Sequence, residues 1–239
     1  MLGMISTKRE LGYYAAAYKI VLIAVVPASI ILQSFFPQFA KSYNQIKERS
    51  RHMNFYARLM FVTGIFFTSM GLLFAGEIIG IVFGPAYKAS VPLLRILILN
   101  VFLVYVNMTY GNPLIAWNKQ KYYSYAIAFG ALVNVLLNFI LIPKYFAYGA
   151  ALATILSEVA VLAGLTTIHW KTTNDLYLET LLKSGGCFIT VIIFGRVLQL
   201  LGITWWLVLI FSVLFFVLAV HKSNLLSEAI IKEFLNEEI

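Results

Sequence analysis

The sequence predicts an all-α, polytopic membrane protein, a bundle of about seven transmembrane helices. Of its 239 residues, 61% are hydrophobic and 12% are charged, whereas a soluble domain has roughly 45–50% apolar and about 25% charged residues. The mean hydropathy is +0.86, and the few charges lie between long uncharged runs. A soluble chain of this size still needs a charged surface, so these observations exclude soluble enzymes and nucleic-acid-binding proteins.

Seven apolar runs are long enough to cross the bilayer, which takes about 20 helical residues. They are longer than the alternating strands of a membrane β-barrel, so we interpret them as helices. The first run contains Lys19 and two prolines and is too long for a cleavable signal peptide, so it also counts as a span. The predicted spans are residues 14–39, 55–75, 89–111, 122–142, 149–169, 181–201 and 203–220.

Two shorter segments complete the predicted architecture. Residues 77–87, EIIGIVFGPAY, are too short to cross and contain turn residues, so we expect a short interfacial helix and a turn. Residues 1–220 form the predicted bundle, and residues 221–239 form a cytoplasmic tail with an amphipathic pattern at Leu226, Ile230 and Phe234. That tail either lies along the membrane surface or is partly frayed.

The basic residues predict the orientation in the cytoplasmic membrane. One predicted side carries eleven of them and the other five, and the richer side belongs in the cytoplasm. The N-terminus is then outside and the C-terminus inside. The basic residues of the predicted inner side are Lys41, Lys47, Arg49, Arg51, Arg58, Lys119, Lys121, Lys171, Lys183, Lys222 and Lys232, and those of the outer side are Lys8, Arg9, Lys19, Lys88 and Lys144.

The sequence contains no set of residues that could converge on a catalytic site. It has one aspartate, Asp175, and its three histidines lie at predicted edges of the membrane. Cys187 is the single cysteine, so no internal disulfide and no cysteine-rich metal site can form. Phosphate-binding loops and HExxH patterns are absent. We therefore expect no enzyme activity, no cofactor and no bound metal.

Several ionisable residues lie inside the predicted spans, where polar groups are costly and often functional. Lys19 and Arg58 lie near span ends, so their long side chains can carry the charge to the interface. Arg95 lies deeper, and Glu158 is near the midplane. The first span also contains Pro27, which interrupts the backbone hydrogen bonding of its helix and predicts either a hinge or a static kink.

The fourth and fifth spans are predicted to form an antiparallel hairpin, because only six residues join them. Counted from that loop, Asn134 lies at about the depth of Glu158, so its amide is predicted to donate to the carboxylate. Asn138 continues the polar stripe four residues further along. These residues predict either the polar wall of a translocation cavity, with Glu158 as a proton or cation site, or a hydrogen bond that only packs the helices.

Four strings resemble the oligosaccharide flippase family, which handles O-antigen and teichoic-acid units within the multidrug/oligosaccharidyl-lipid/polysaccharide exporter superfamily. They are GYYAAAYKI at residues 12–20, the prolines Pro27 and Pro37, EIIGIVFGPAY at residues 77–87, and NVLLNFILIPKYFAYGAALATILSE at residues 134–158. The resemblance covers residues 2–169, and beyond residue 181 it consists mainly of hydropathy. Phe146 stands where that family usually has a glycine.

The resemblance implies one lobe of a two-lobed, inverted-V transporter that moves lipid-pyrophosphate-linked oligosaccharides by alternating access. It implies cationic substrate-binding residues at Lys19 and Arg95, the second more loosely, and Arg58 is a further candidate from its place in a span. It also assigns Asn134 and Asn138, together with Glu158, to the polar cavity. Family members are about twice this length, so the chain is expected to be either a fragment of a split or truncated gene or one that works with a separate N-terminal half chain. The other expected partners are membrane lipid and the lipid-linked oligosaccharide.

Three other functions compete with this interpretation. The chain is compatible with a drug or other-lipid exporter of the same superfamily and with an accessory membrane protein that transports nothing. A seven-helix receptor shares the predicted topology, but the retinal-binding version fails because residues 203–220 contain no lysine for a Schiff base.

Overall fold

The computed structural model of the protein describes residues 2–226. Eight α-helices and one 3₁₀ turn account for most of this part of the chain, and it contains no strand. The elements are α1 (Leu2–Ile5), α2 (Lys8–Ser42), α3 (Ile46–Leu73), α4 (Ala75–Phe83), the 3₁₀ turn Pro85–Tyr87, α5 (Ser90–Ala116), α6 (Gln120–Thr173), α7 (Leu178–Leu200) and α8 (Trp205–Lys222). The predicted helical membrane bundle is confirmed.

Within the described residues, six helices are long and apolar enough to cross a membrane. One of them, α6, has 54 residues, and a straight helix of that length would reach about 80 Å, far more than a bilayer. It bends at Phe146, where φ is 49° and ψ is −125°. Residues 120–145, the first arm, and residues 147–173, the second arm, therefore correspond to the fourth and fifth predicted spans.

The two arms of α6 run antiparallel and in close contact. A Cβ atom built on Gly149 would lie 2.3 Å from the backbone oxygen of Leu141, and one on Gly130 would lie 2.1 Å from Val161 Cγ2. Small side chains thus allow the backbones to approach each other, as in other tightly packed membrane helices. The predicted hairpin is confirmed. Counting the two arms of α6 separately, the described residues contain seven helical segments of membrane-spanning length, and that all seven cross a membrane stays a prediction.

The central helix of the bundle is α5, which packs against α2, α3 and α6. At one end of the bundle, Trp117 Nε1 donates to the Phe39 backbone oxygen at 3.1 Å, and the ring of the fully buried His169 lies 5.7 Å from the Trp117 ring. The His169 ring also contacts Tyr110 and Tyr177, at 5.2 and 5.8 Å between centroids. We call this end the Trp117 end; it corresponds to the predicted cytoplasmic side.

The opposite end, which we call the Phe146 end, contains the start of α2, the α6 bend and the turn before α5. Glu10 Oε2 accepts a hydrogen bond from the Ala147 backbone N–H at 3.3 Å, where an acid also suits the start of the second arm. The Tyr13 and Tyr87 rings contact each other at 6.0 Å. This end corresponds to the predicted outer side, and the orientation of the bundle stays a prediction.

The helix and turn expected at residues 77–87 are present as α4 and the 3₁₀ turn. Gly84 ends α4 with a φ of 80°, a conformation that favours glycine, and Pro85 opens the turn. Ile81 and Val82 of α4 are 70% and 57% exposed, and the interfacial position of this helix stays a prediction.

The hairpin of α7 and α8 packs against α3. Gln199 Nε2 donates to the Leu73 backbone oxygen at 2.9 Å, and the Phe194 and Phe215 rings stack at 4.3 Å between centroids. The predicted tail begins within α8, which ends at Lys222. Its amphipathic pattern lies at residues 227–239 for the most part, outside the described residues, and the division at residue 220 stays a prediction.

Candidate functional site

A cavity of about 620 Å³ opens between α2 and the two arms of α6, with Leu2 of α1 at its edge. Its position follows from the α6 hairpin, because both arms contribute one wall and the first turns of α2 contribute the other. The polar residues that line it are Tyr14, Tyr18, Asn134, Asn138, Thr154, Ser157 and Glu158. The sequence-predicted Asn134, Asn138 and Glu158 therefore face one cavity.

A chain of hydrogen bonds runs along the α6 wall. Asn138 Nδ2 donates to Asn134 Oδ1 at 2.9 Å, which confirms the predicted polar stripe. Asn134 Nδ2 in turn donates across the hairpin to Ser157 Oγ at 3.0 Å. Tyr14 extends the chain to α2, because its hydroxyl lies 3.4 Å from Thr154 Oγ1. The network therefore connects α2 with the first and second arms of α6, inside the predicted membrane-spanning segments.

Glu158 does not pair with Asn134, so that prediction is wrong. Its Oε2 accepts a hydrogen bond from Asn107 Nδ2 of α5 at 2.6 Å, and the same amide lies 3.1 Å from the Glu158 backbone oxygen. The reason is helical geometry: Ser157 and Glu158 are about 100° apart around the second arm. The Ser157 side chain faces the first arm, and Glu158 turns toward α5.

Sequence reasoning missed Asn107, although it lies inside the third predicted span, four residues from its end. An amide at that depth needs a partner, because lipid offers none, so its place in an apolar run was a usable signal. It also missed Tyr14 and Tyr18, which line the cavity on the α2 side. Both tyrosines lie in the first turns of α2, which begins at Lys8. Aromatic residues are common near the ends of membrane helices, so the local sequence does not distinguish these two from interfacial aromatics.

The cavity has one acidic group and no basic group among its lining residues. Glu158 is roughly 16 Å along the second arm from Ala147, near the midplane of a bilayer about 30 Å thick. A carboxylate at that depth is costly unless a proton or a cation compensates it. The other polar residues that line the cavity carry amide and hydroxyl oxygens, which are among the hard ligands that small cations use. Among residues 2–226, no cluster of three metal-binding His, Cys, Asp or Glu residues occurs.

The candidate cationic residues lie elsewhere. Lys19 is exposed on α2 and does not line the cavity. Arg58 donates from Nη1 to the backbone oxygens of Asn224 and Leu225, at 2.9 and 3.2 Å, and so ties α3 to the chain after α8. Arg95 lines a separate cleft at the Phe146 end. The structure does not bring these three cations together, and their substrate-binding role stays a prediction.

The candidate hinge, Pro27, lies inside α2, which continues through it from Lys8 to Ser42. The next residue, Ala28, is fully buried, and the Tyr105 hydroxyl donates to the Ala24 backbone oxygen at 3.0 Å. The carbonyl that Pro27 leaves without a helical donor is that of Ile23, so this contact with α5 lies one residue from the break. A hinge at Pro27 stays a prediction.

Two curated proteins of polysaccharide biosynthesis are similar to this chain. One is a probable low-salt glycan biosynthesis flippase of Haloferax volcanii, 29% identical over 161 residues, or 66% of this chain and 34% of the relative. The other is a capsular polysaccharide biosynthesis protein of Staphylococcus aureus, 29% identical over 160 residues, or 65% of this chain and 40% of the relative. The matched region thus covers well under half of each relative. No protein-family model and no solved structure matches it.

Proposed function

We propose that this chain is one lobe of a flippase that moves lipid-linked oligosaccharide repeat units across the cytoplasmic membrane for polysaccharide biosynthesis. Both similar proteins take part in polysaccharide or glycan biosynthesis by name, and one of them is named a probable flippase. In this proposal the chain works as a transporter and not as an enzyme. A second lobe, on a separate chain or on further residues, completes the path for the headgroup.

The polar cavity carries the proposal. A hydrogen-bonded network that includes a carboxylate at membrane depth is costly and marks an ion or substrate path in membrane proteins. Glu158 exchanges a proton or a small cation with one side of the membrane, and its charge state biases the bundle between inward-open and outward-open forms. Asn107 on α5 senses that charge, because a carboxylate accepts its hydrogen bond more strongly than a carboxylic acid does.

The pyrophosphate of the substrate needs cations in the path between the two lobes. Lys19 suits this task because it is exposed on α2, whose neighbouring Tyr18 lines the cavity. Arg58 is less suited, since two backbone oxygens already accept from its guanidinium. The outside N-terminus and the inside C-terminus complete the proposed arrangement.

Complementation tests this function. Cells that lack an oligosaccharide flippase receive this chain together with a first-half chain, and surface polysaccharide is measured. We expect rescue by the native pair, loss of rescue with Glu158→Gln, and retained rescue with Glu179→Gln, which alters an exposed acid on α7. Failure of a well-expressed, inserted native pair to rescue contradicts the proposal.

A drug exporter is the second candidate, because the cavity has an acidic lining residue and no basic one. Such a lining suits an organic cation better than a pyrophosphate. Export of a cationic dye by the same pair, lost in Glu158→Gln and without any rescue of surface polysaccharide, would favour this candidate over the flippase.

A further inference from the structure

A second cleft, also about 620 Å³, lies at the Phe146 end of the bundle. It opens between α4, the 3₁₀ turn and the first turns of α5, away from the polar cavity of α2 and α6. Its lining residues are Gly76, Ile79, Gly80, Gly84, Pro85, Lys88, Val91, Pro92 and Arg95. The network around Glu158 does not use any of them.

Both charged side chains in this cleft are cations on one helical face. The lining residues Lys88, Val91, Pro92 and Arg95 are spaced three, four and seven residues apart, which places them on the same side of a helix. Lys88 already follows this helical path, because its backbone oxygen accepts from the Val91 N–H at 3.2 Å. The two cations are then separated by about 10 Å along the helix axis.

Neither cation has a partner within residues 2–226. No described hydrogen bond, ion pair or ring contact involves the side chain of Lys88 or Arg95, and the cleft has no acidic lining residue. By contrast, Arg9, Arg49, Arg58 and Arg196 each contact an oxygen atom or an aromatic ring. Both side chains are exposed, and they present two positive charges to one cleft whose lining residues supply no counter-charge. An anion from outside the chain would supply it.

The place of the cleft indicates the source of that anion. Ile81 and Val82 of α4 are exposed, which suits the predicted place of this short helix at the membrane interface, the level of the phosphate groups of lipids. The opposite wall leaves room for a headgroup, because Cβ atoms built on Gly76, Gly80 and Gly84 would meet nothing within 4 Å. A lipid phosphate can therefore enter from the side while its acyl chains stay in the bilayer.

We propose that this cleft binds the phosphate of an anionic phospholipid headgroup, with Lys88 and Arg95 as its cationic ligands. The site requires only that the chain is inserted in a membrane, and it does not depend on the transport function. Its occupant holds α4 against α5 and so fixes the bundle at the Phe146 end relative to the leaflet.

Native mass spectrometry of the purified chain with phosphatidylglycerol or phosphatidylcholine tests the site. We expect the chain to retain phosphatidylglycerol in preference to phosphatidylcholine. Lys88→Gln and Arg95→Gln each weaken this binding about fivefold, the effect of one basic residue near an anionic membrane surface. The double variant weakens it roughly 25-fold if the two charges act independently. Lys144→Gln removes an exposed charge at the same end outside the cleft and leaves binding unchanged.

The conservative pair Lys88→Arg with Arg95→Lys keeps both charges and is expected to keep the preference, which separates a lost site from a damaged fold. The proposal is overturned if both single glutamine variants bind phosphatidylglycerol like the native chain. It is equally overturned if inorganic phosphate occupies the cleft while phosphatidylglycerol is bound no better than phosphatidylcholine, since the site would then take a free anion.

Discussion

Asn107 Nδ2 lies 2.6 Å from Glu158 Oε2 and 3.1 Å from the backbone oxygen of the same residue. One amide of α5 thus holds both the side chain and the backbone of the second arm of α6. The helix α5 also packs against α2 and α3. This contact therefore links the acidic group of the cavity to the rest of the fold.

A double-mutant cycle on this pair measures the link. We expect Asn107→Leu alone to lower the free energy of unfolding by about 1–3 kcal/mol, because the Glu158 carboxyl group loses its partner. The double variant Asn107→Leu with Glu158→Leu should lose less unfolding free energy than the two single variants added together, by roughly 0.5–2 kcal/mol. Denaturation in detergent micelles gives both values. Asn107→Leu combined with the exposed Glu179→Leu is the control and should be additive.

Phe146 has the backbone conformation that a glycine prefers. Its φ of 49° and ψ of −125° match the first central residue of a type II′ turn, where glycine dominates. We expect Phe146→Gly to raise the stability by about 1 kcal/mol through relief of that strain. Tyr145→Gly, at a helical and exposed neighbour, should instead lower it by about 0.5–1 kcal/mol. Thermal unfolding distinguishes the two, and destabilisation by Phe146→Gly contradicts the expectation.

Among the glycines of the α6 hairpin, Gly149 makes the closest approach to backbone of the facing arm. A Cβ atom there would lie 2.3 Å from the Leu141 backbone oxygen, and a backbone atom cannot move aside like a flexible side chain. We expect Gly149→Ala to cost about 1–3 kcal/mol, as overpacked sites do, and to disturb the hydrogen bond between Asn134 and Ser157. Gly186→Ala in α7, where a Cβ meets nothing within 4 Å, is the control and should be neutral or slightly stabilising.

His169 is the centre of the ring cluster at the Trp117 end. Its side chain is 0% exposed and its Nδ1 lies 3.1 Å from the Tyr110 backbone oxygen. We expect His169→Ala to lower the unfolding free energy by about 3 kcal/mol, because it leaves a cavity among three aromatic rings. His221→Ala alters an exposed histidine and should change it by less than about 0.5 kcal/mol. Similar melting temperatures for the two variants would refute this role.

Cysteine labelling tests the predicted orientation. In a Cys187→Ser background, Lys144→Cys at the Phe146 end should react with a membrane-impermeant maleimide added to intact cells. Lys171→Cys at the Trp117 end should react only after the membrane is opened. The reverse pattern would place the loop with the most basic residues outside and invert the proposed topology.

Much of the fold and part of the site could be predicted because they depend on local composition. An apolar window of about 20 residues marks a helix whatever its neighbours are, so the spans and the hairpin at Phe146 were predictable. The alignment of Asn138 with Asn134 follows from the helical repeat alone, and the structure confirms it. The partner of Glu158 could not be predicted this way, since Asn107 is 51 residues away in sequence.

The sequence by itself determined that this protein is a helical membrane bundle and that polar residues gather in the α6 hairpin, because both follow from hydropathy and from short spacings along one helix. Only the tertiary structure decided which of these residues meet. It turned Ser157 toward Asn134 and Glu158 toward Asn107, and it gave Arg58 backbone oxygens as partners. The physical reason is that each residue rotates a side chain by about 100° around its helix, and packing between helices selects which direction faces a neighbour.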